Sequence, residues 1–246
     1  MFKRLVSVWL CILLCMTGLG ALCVFDVPIN IIDIAAAGNT LYVNKTGSGG
    51  AYTSIQAAID DSLDGDTVFI YSGTYDESVM VNVRINLTGE DRESTIINGS
   101  GSGEVVYIGV NGVNITGLTI TLGDTGIRLF HSSYCVLHNN NIAFNLWDGI
   151  ILDSSSHNNI TDNDIYSNTF NGFVLDSNSN NNTLIGNNIS YNDESGIDIR
   201  LSTKNNIFGN DIVSNGLRGI SLDPLSSDSI IQGNFISLNN EGIIIT

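Results

Sequence analysis

Asp153, Asp176, Arg200 and Asp223 follow one another at steps of 23, 24 and 23 residues, with Asp198 two places before the arginine. If those steps bring the four side chains into one row, neighbouring carboxylates repel, and a guanidinium or a bound Ca²⁺ relieves the repulsion. These are the candidate catalytic residues. The alternative is a solvated acidic stripe in which Arg200 balances its neighbours.

Trp147 and Phe170 are likewise 23 residues apart, each two places before a glycine. Rings set on one edge suit the apolar faces of sugars, or they stack on each other inside a turn. With Asp198 they form the candidate ligand-binding set. Copper or zinc needs converging ligands, yet His131, His138 and His157 fall at three different places in the repeat, with only Met80 and Cys135 as further soft donors outside the first 37 residues. No metal site is expected from them.

What positions these groups is a repeat. Glycines at 103, 126, 149, 172, 196, 219 and 242 keep a 23- or 24-residue beat. Asn140, Asn163, Asn187, Asn210 and Asn234 keep it too, as do Asn145, Asn168, Asn192, Asn215 and Asn239. A hydroxyl column is expected at Ser133, Ser156, Ser179, Thr203 and Ser226. Apolar residues alternate within each repeat, as in Gly196-Ile197-Asp198-Ile199, which is the period of a strand. Each repeat therefore reads as short strands separated by Gly and Asn bends that favour left-handed backbone.

One such coil cannot bury its own apolar side, whereas stacked coils about 4.8 Å apart bury one residue per level in a continuous column. The interior is expected to hold Ile127, Leu129, Ile150, Leu152, Phe173, Leu175, Ile197, Ile199, Ile220 and Leu222, with the asparagine columns hydrogen-bonded as ladders. The fold class is all-β, a parallel β-helix over 38–246. "YTSIQAAIDDSLDGD" has helical spacing at Ile55, Ala58, Ile59 and Leu63, with Thr53 and Gln56 placed for a capping box. A short helix there caps the first coil, and strands follow in "TVFIY", "VMVNV", "INLTG" and "STIING". The last residues, "EGIIIT", read as a strand with no polar cap, implying a truncated frame or a partner on the final coil.

The chain carries nine basic and 25 acidic residues among 246, a net charge of -16, which excludes nucleic acid as a partner and favours cations or hydroxyl-rich ligands. Lys3 and Arg4 precede an apolar run from Leu5 to Phe25, so 1–37 reads as a signal peptide or an N-terminal membrane anchor with a short linker, the one expected contact with a membrane. Three of four cysteines lie in that run, leaving Cys135 without an intramolecular disulfide partner. Asn-x-Ser/Thr sequons occur at Asn44, Asn86, Asn98, Asn114, Asn159, Asn181 and Asn188.

The segment "YTSIQAAIDDSLDGDTVFIYSGTYDE" with "INLTGE", Tyr52 to Glu90, resembles the opening coils of pectinesterases in the pectin-lyase-like superfamily of right-handed parallel β-helices. The later N-x-I-x-x-N-x-x-x-G-I coils are similar to NosD-like and carbohydrate-binding and sugar-hydrolysis repeats. The resemblance implies that Asp and Arg groupings like the one above serve as acid, base or metal ligand on polysaccharides. The family's QDT, DFIFG, GHG and vWiDH segments are absent, and Asp223-Pro224 is followed by Leu225 and Ser226 where alginate epimerases show His and Asp. The favoured reading is an exported cell-surface β-helix that binds a polysaccharide or surface glycan, or is structural, without catalysis. A polysaccharide lyase, hydrolase or epimerase, with Ca²⁺ as the possible cofactor, is the alternative; a NosD-like role in copper-site maturation is the second.

Overall fold

Strands of three or four residues are too short to persist alone; here each lies between near-copies of itself. The computed structural model describes residues 38–245, and the expected leader over 1–37 lies outside the described residues. Among the described residues the strands form three parallel sheets, A, B and C, of nine, eight and eight strands. One coil runs through Asn159–Thr161 in sheet A, Asp164–Tyr166 in sheet B and Phe173–Asp176 in sheet C, and the next opens at Thr183–Ile185.

Register is set by the interior. Ile127, Ile150, Phe173, Ile197 and Ile220 are successive partners in sheet C, as are Leu129, Leu152, Leu175, Ile199 and Leu222, and all ten are buried as expected. Sheet A adds Leu137, Ile160, Leu184 and Ile207, and sheet B adds Ile142, Ile165, Ile189 and Ile212. Taking each such side chain out of water contributes about 1.5–3 kcal/mol. A slip of one residue would turn all of them outward, so the register is held by every coil at once.

The bends follow one rule. In the coil just described, left-handed residues Asp162 (φ 55°), Ser167 (φ 54°), Asn178 (φ 67°) and Asn181 (φ 57°) are each followed by a buried polar residue, Asn163, Asn168, Ser179 and Asn182. The left-handed conformation costs an L-residue about 1–2 kcal/mol. It turns the chain so that the next side chain points inward and meets the backbone of the adjoining coil. Asn163 Nδ2 thus donates to Leu137 O (2.9 Å) in the coil before and to Asn187 Oδ1 (3.0 Å) in the coil after.

The same contact recurs from Asn140 to Asn163, Asn187 to Asn210 and Asn210 to Asn234, at 2.9–3.1 Å. A parallel ladder joins Asn145, Asn168, Asn192, Asn215 and Asn239 at 2.9–3.0 Å. A third, not anticipated from sequence, runs Cys135, Asn158, Asn182, Asn205 and Ser229, each backbone N–H donating to the next side chain. The hydroxyl column is corrected to Ser132, Ser155, Ser179, Ser202 and Ser226. Ser133, Ser156 and Thr203 stand one residue further on, outside the buried row.

The repeat glycines serve a different purpose from the one their type suggested. A Cβ on Gly149 would lie 2.6 Å from the Gly172 carbonyl oxygen and 2.8 Å from Asn168 Nδ2, so close approach of coils and ladder requires glycine there. Gly103 is not part of this column: Glu104 pairs with Thr125, which sets Val105 opposite Gly126.

The helix spans Ile55–Asp60 and buries Ile55, Ala58 and Ile59. Its N-cap is Ser54, whose hydroxyl accepts from Ala57 N (3.3 Å), so the Thr53–Gln56 box does not form, and Glu77 takes the Ile55 and Gln56 N–H groups instead. Leu63 lies beyond the helix and is exposed. The final strand is Glu241–Ile245, paired with Arg218–Leu222. No helix of the described residues is long and apolar enough to cross a membrane.

Candidate functional site

Outward residues of sheet C fall in rows because the interior fixes the pitch. Asp153 and Asp176 are direct partners, and the pairing of Ile199 with Leu175 and Leu222 continues the row to Arg200 and Asp223. The four side chains do not form bonds with one another. Asp153 Oδ2 accepts from Arg128 Nη2 (2.8 Å), while Arg128 Nη1 reaches Glu104 Oε1 (3.3 Å), so one guanidinium bridges three coils. Its carbon lies 5.6 Å from the centre of the Phe130 ring.

Arg200 turns to Asp198, donating from Nε to Oδ2 at 2.7 Å. Asp176 accepts from the Ser177 N–H (2.6 Å) and Asp223 from the Leu225 N–H (2.8 Å), each closing its own turn. The face is therefore a set of satisfied carboxylates and paired arginines.

Asp148 escaped the sequence reading. It precedes Gly149 by one residue and is half-buried, and its Oδ1 accepts from both Asn171 N and Asn171 Nδ2 at 2.9 Å. Burial pushes its carboxyl above the usual range, against the pull of the Asn171 hydrogen bonds and of Arg200; Asp198 adds to the rise. The signal is a polar column directly ahead of the repeat glycines, at Thr125, Asp148, Asn171, Ser195 and Arg218.

Trp147 and Phe170 border sheet C, 55% and 47% exposed, with the Phe170 N–H donating to Trp147 O at 3.0 Å. The backbones stack, but the two rings do not form an aromatic pair among the described residues. Neither ring lines the hollow of about 300 Å³ formed by Leu122, Phe144 and Leu146, nor the one of about 320 Å³ formed in the first coils by Met80, Glu104 and Tyr107.

The imidazoles lie apart. His131 packs edge-on against Phe130 at 4.2 Å, His157 stacks on Tyr134 at 5.2 Å, and His138 Nδ1 approaches Thr161 Oγ1 at 3.1 Å. Among the described residues no group of three His, Cys, Asp or Glu side chains is arranged to hold a metal ion. Cys135 is buried in the third ladder, where burial pushes its thiol up.

Three parallel sheets wound around one interior, with polar ladders at the bends, define a right-handed parallel β-helix of the pectin-lyase-like type. The chain belongs to the family described as the right handed beta helix region, which matches residues 65–184 and 125–246. A cell surface glycoprotein of Methanothermus fervidus is 33% identical over 115 residues, 46% of this chain and 19% of that protein, so the match spans about a fifth of the relative.

Among solved structures, an alginate lyase from Paenibacillus sp. str. FPU-7 is similar with a TM-score of 0.66 and 20% identity, covering 76% of this chain and 74% of that one. Pectate lyase Pel9A gives 0.59 and 15% identity over 86% and 78%, and a pectin methylesterase from carrot 0.55 and 14% over 86% and 89%. At these identities the likeness is one of fold.

Proposed function

We propose that this chain is an exported cell-surface β-helix that binds a polysaccharide or surface glycan along the outer face of sheet C, without cleaving it. The observation that carries the reading is the set of fixed charges on that face. Arg128 is held between Glu104 and Asp153, and Arg200 is held by Asp198, so donors and acceptors are preset for a hydroxyl-rich chain. Trp147 and Phe170, exposed at the border, supply flat apolar surface for sugar C–H groups. The similarity to a cell surface glycoprotein supports the location.

A glycan array probed with and without Ca²⁺, followed by product analysis on acidic polysaccharides, tests this reading. Binding with intact polymer is the expected result, and unsaturated or newly reducing ends would move the assignment to an enzyme. That second reading is favoured by Asp148, a carboxyl with raised pKa near Arg200 and Asp198, the kind of group that donates a proton to a leaving oxygen.

A further inference from the structure

The seven sequons are not spread evenly over the coil. Asn86, Asn114 and Asn159 stand in sheet A strands, Asn181 at the bend leading into sheet A, Asn98 and Asn188 in sheet B, and Asn44 just past the first strand, Thr40–Val43. Among the described residues, none lies in a sheet C strand, the face that carries the Arg128 and Arg200 ion pairs.

Strand geometry gives the sequon a fixed presentation. In Asn159-Ile160-Thr161 the middle residue is fully buried in the core, so period-two alternation turns the asparagine and the threonine outward together. In Asn188-Ile189-Ser190 the buried Ile189 turns Asn188 outward, although Ser190 itself is buried, and Asn181-Asn182-Thr183 is anchored by the ladder residue Asn182.

Hydrogen bonding then separates the seven. Asn44 Nδ2 donates to Ser48 O (3.1 Å), Asn86 Nδ2 to Thr67 Oγ1 (3.3 Å) and Asn98 Nδ2 to Asp76 Oδ1 (2.8 Å), and all three are half-buried. Asn114 is exposed, but its Nδ2 donates to Asn86 Oδ1 at 2.7 Å. Asn159, Asn181 and Asn188 are exposed, and their side-chain amides have no hydrogen-bond partner among the described residues. A glycan on Nδ2 must extend into solvent after the coils close, and these three positions let it do so with no bond surrendered.

We infer that Asn159, Asn181 and Asn188 are acceptor sites for N-linked glycans, added during export by a transferase that uses a lipid-phosphate-linked oligosaccharide. In the transfer, Nδ2 forms a bond to the anomeric carbon, the carbon–oxygen bond to the lipid phosphate breaks, and the amide proton leaves to a base; nothing is oxidised or reduced. The sugars then cover sheets A and B and leave the outer face of sheet C bare. This rests on the export proposed above but not on glycan binding by sheet C, and it goes beyond that reading.

The test is site-resolved glycopeptide mass spectrometry on the full chain, exported from a host that glycosylates a co-expressed control protein. Glycan mass is expected on the peptides holding Asn159, Asn181 and Asn188, with Asn44 and Asn98 unmodified. Thr161→Val, Thr183→Val and Ser190→Ala should each delete one glycan, and Thr161→Ser should retain it, which separates loss of the sequon from loss of folding. Unmodified Asn159, Asn181 and Asn188 beside a glycosylated control, or occupancy confined to Asn44 and Asn98, would overturn the assignment.

Discussion

Asn163 and Asn187 are joined twice: the Asn187 Oδ1 accepts from Asn163 Nδ2 at 3.0 Å and from the Asn163 backbone N–H at 3.1 Å. Both side chains are buried, so neither group has water as a substitute. Replacing Asn187 with Ala orphans the buried Asn163 N–H, at about 1–3 kcal/mol, and also removes the Asn187 Nδ2 bonds to Ile160 O and Asn210 Oδ1, while Asn163 Nδ2 keeps Leu137 O and Thr161 O. Asn187→Ala should therefore lower unfolding stability in urea by about 3 kcal/mol, while Asn206→Ala, facing outward from sheet A, should change it by less than ~0.5 kcal/mol. Equal losses would show that the ladder contributes nothing beyond the position it occupies.

Leu201 is left-handed at φ 47° and exposed, with no packing role to set against its backbone cost. Leu201→Gly should raise stability by about 0.5–1 kcal/mol, the left-handed cost less the extra freedom glycine gives the unfolded chain. Gly149→Ala should do the opposite, losing about 1–3 kcal/mol because its Cβ meets the Gly172 carbonyl oxygen. Thermal melts of the two variants side by side make the comparison.

Asp148 has its pKa raised in the folded chain, so the folded state holds that proton more tightly than the unfolded one. Its contribution is fully present below the unfolded value of about 3.9 and is lost as pH rises through the folded pKa. Asp148→Asn should then stabilise the protein at neutral pH, with the gain vanishing below about pH 4. A gain that persists in acid would place the cause elsewhere.

Arg128 bridges Glu104 and Asp153 with about a third of its side chain exposed, and its Nε is buried without a partner. Exposed pairs contribute little, and the orphaned Nε subtracts from that. Arg128→Met should shift stability by less than ~1 kcal/mol yet reduce glycan retention on the array. Unchanged retention would remove Arg128 from the binding face.

Trp147→Ala with Phe170→Ala should abolish or strongly weaken glycan binding while leaving the melt nearly unchanged, since both rings are about half exposed. Full binding by the double variant would remove the aromatic border from the site.

The interior was legible because the pitch of the stack forces each level to repeat the last. Ile150, Phe173 and Ile197 occupy one site, and so do Asn163 and Asn187. Where a column changes residue type the pattern fades: Cys135 and Ser229 stand at the two ends of the third ladder, so Asn158, Asn182 and Asn205 form a shorter asparagine run than the other two ladders. The hydroxyl column was read one place out at Ser133 and Ser156, since serine fills both positions of that bend. On the outer face no neighbour above or below demands the same residue, so Asp198 follows Val174 in register and a partner such as Arg128 for Asp153 comes from the coil below. Such pairings depend on long side chains reaching between levels, which spacing alone does not encode.

The bend that leaves sheet C has one feature with reach beyond this chain. From Asp153 to Ser155 it holds a single residue, Ser154, whereas from Asp176 to Ser179 it holds two, Ser177 and Asn178, both left-handed. The Ser155 N–H nevertheless finds Ser179 Oγ at 3.0 Å. Growth in length is thus absorbed locally, and the layers above and below keep their alignment. That makes this bend a natural socket where evolution, or a protein engineer, can graft a longer segment beside an otherwise unchanged surface.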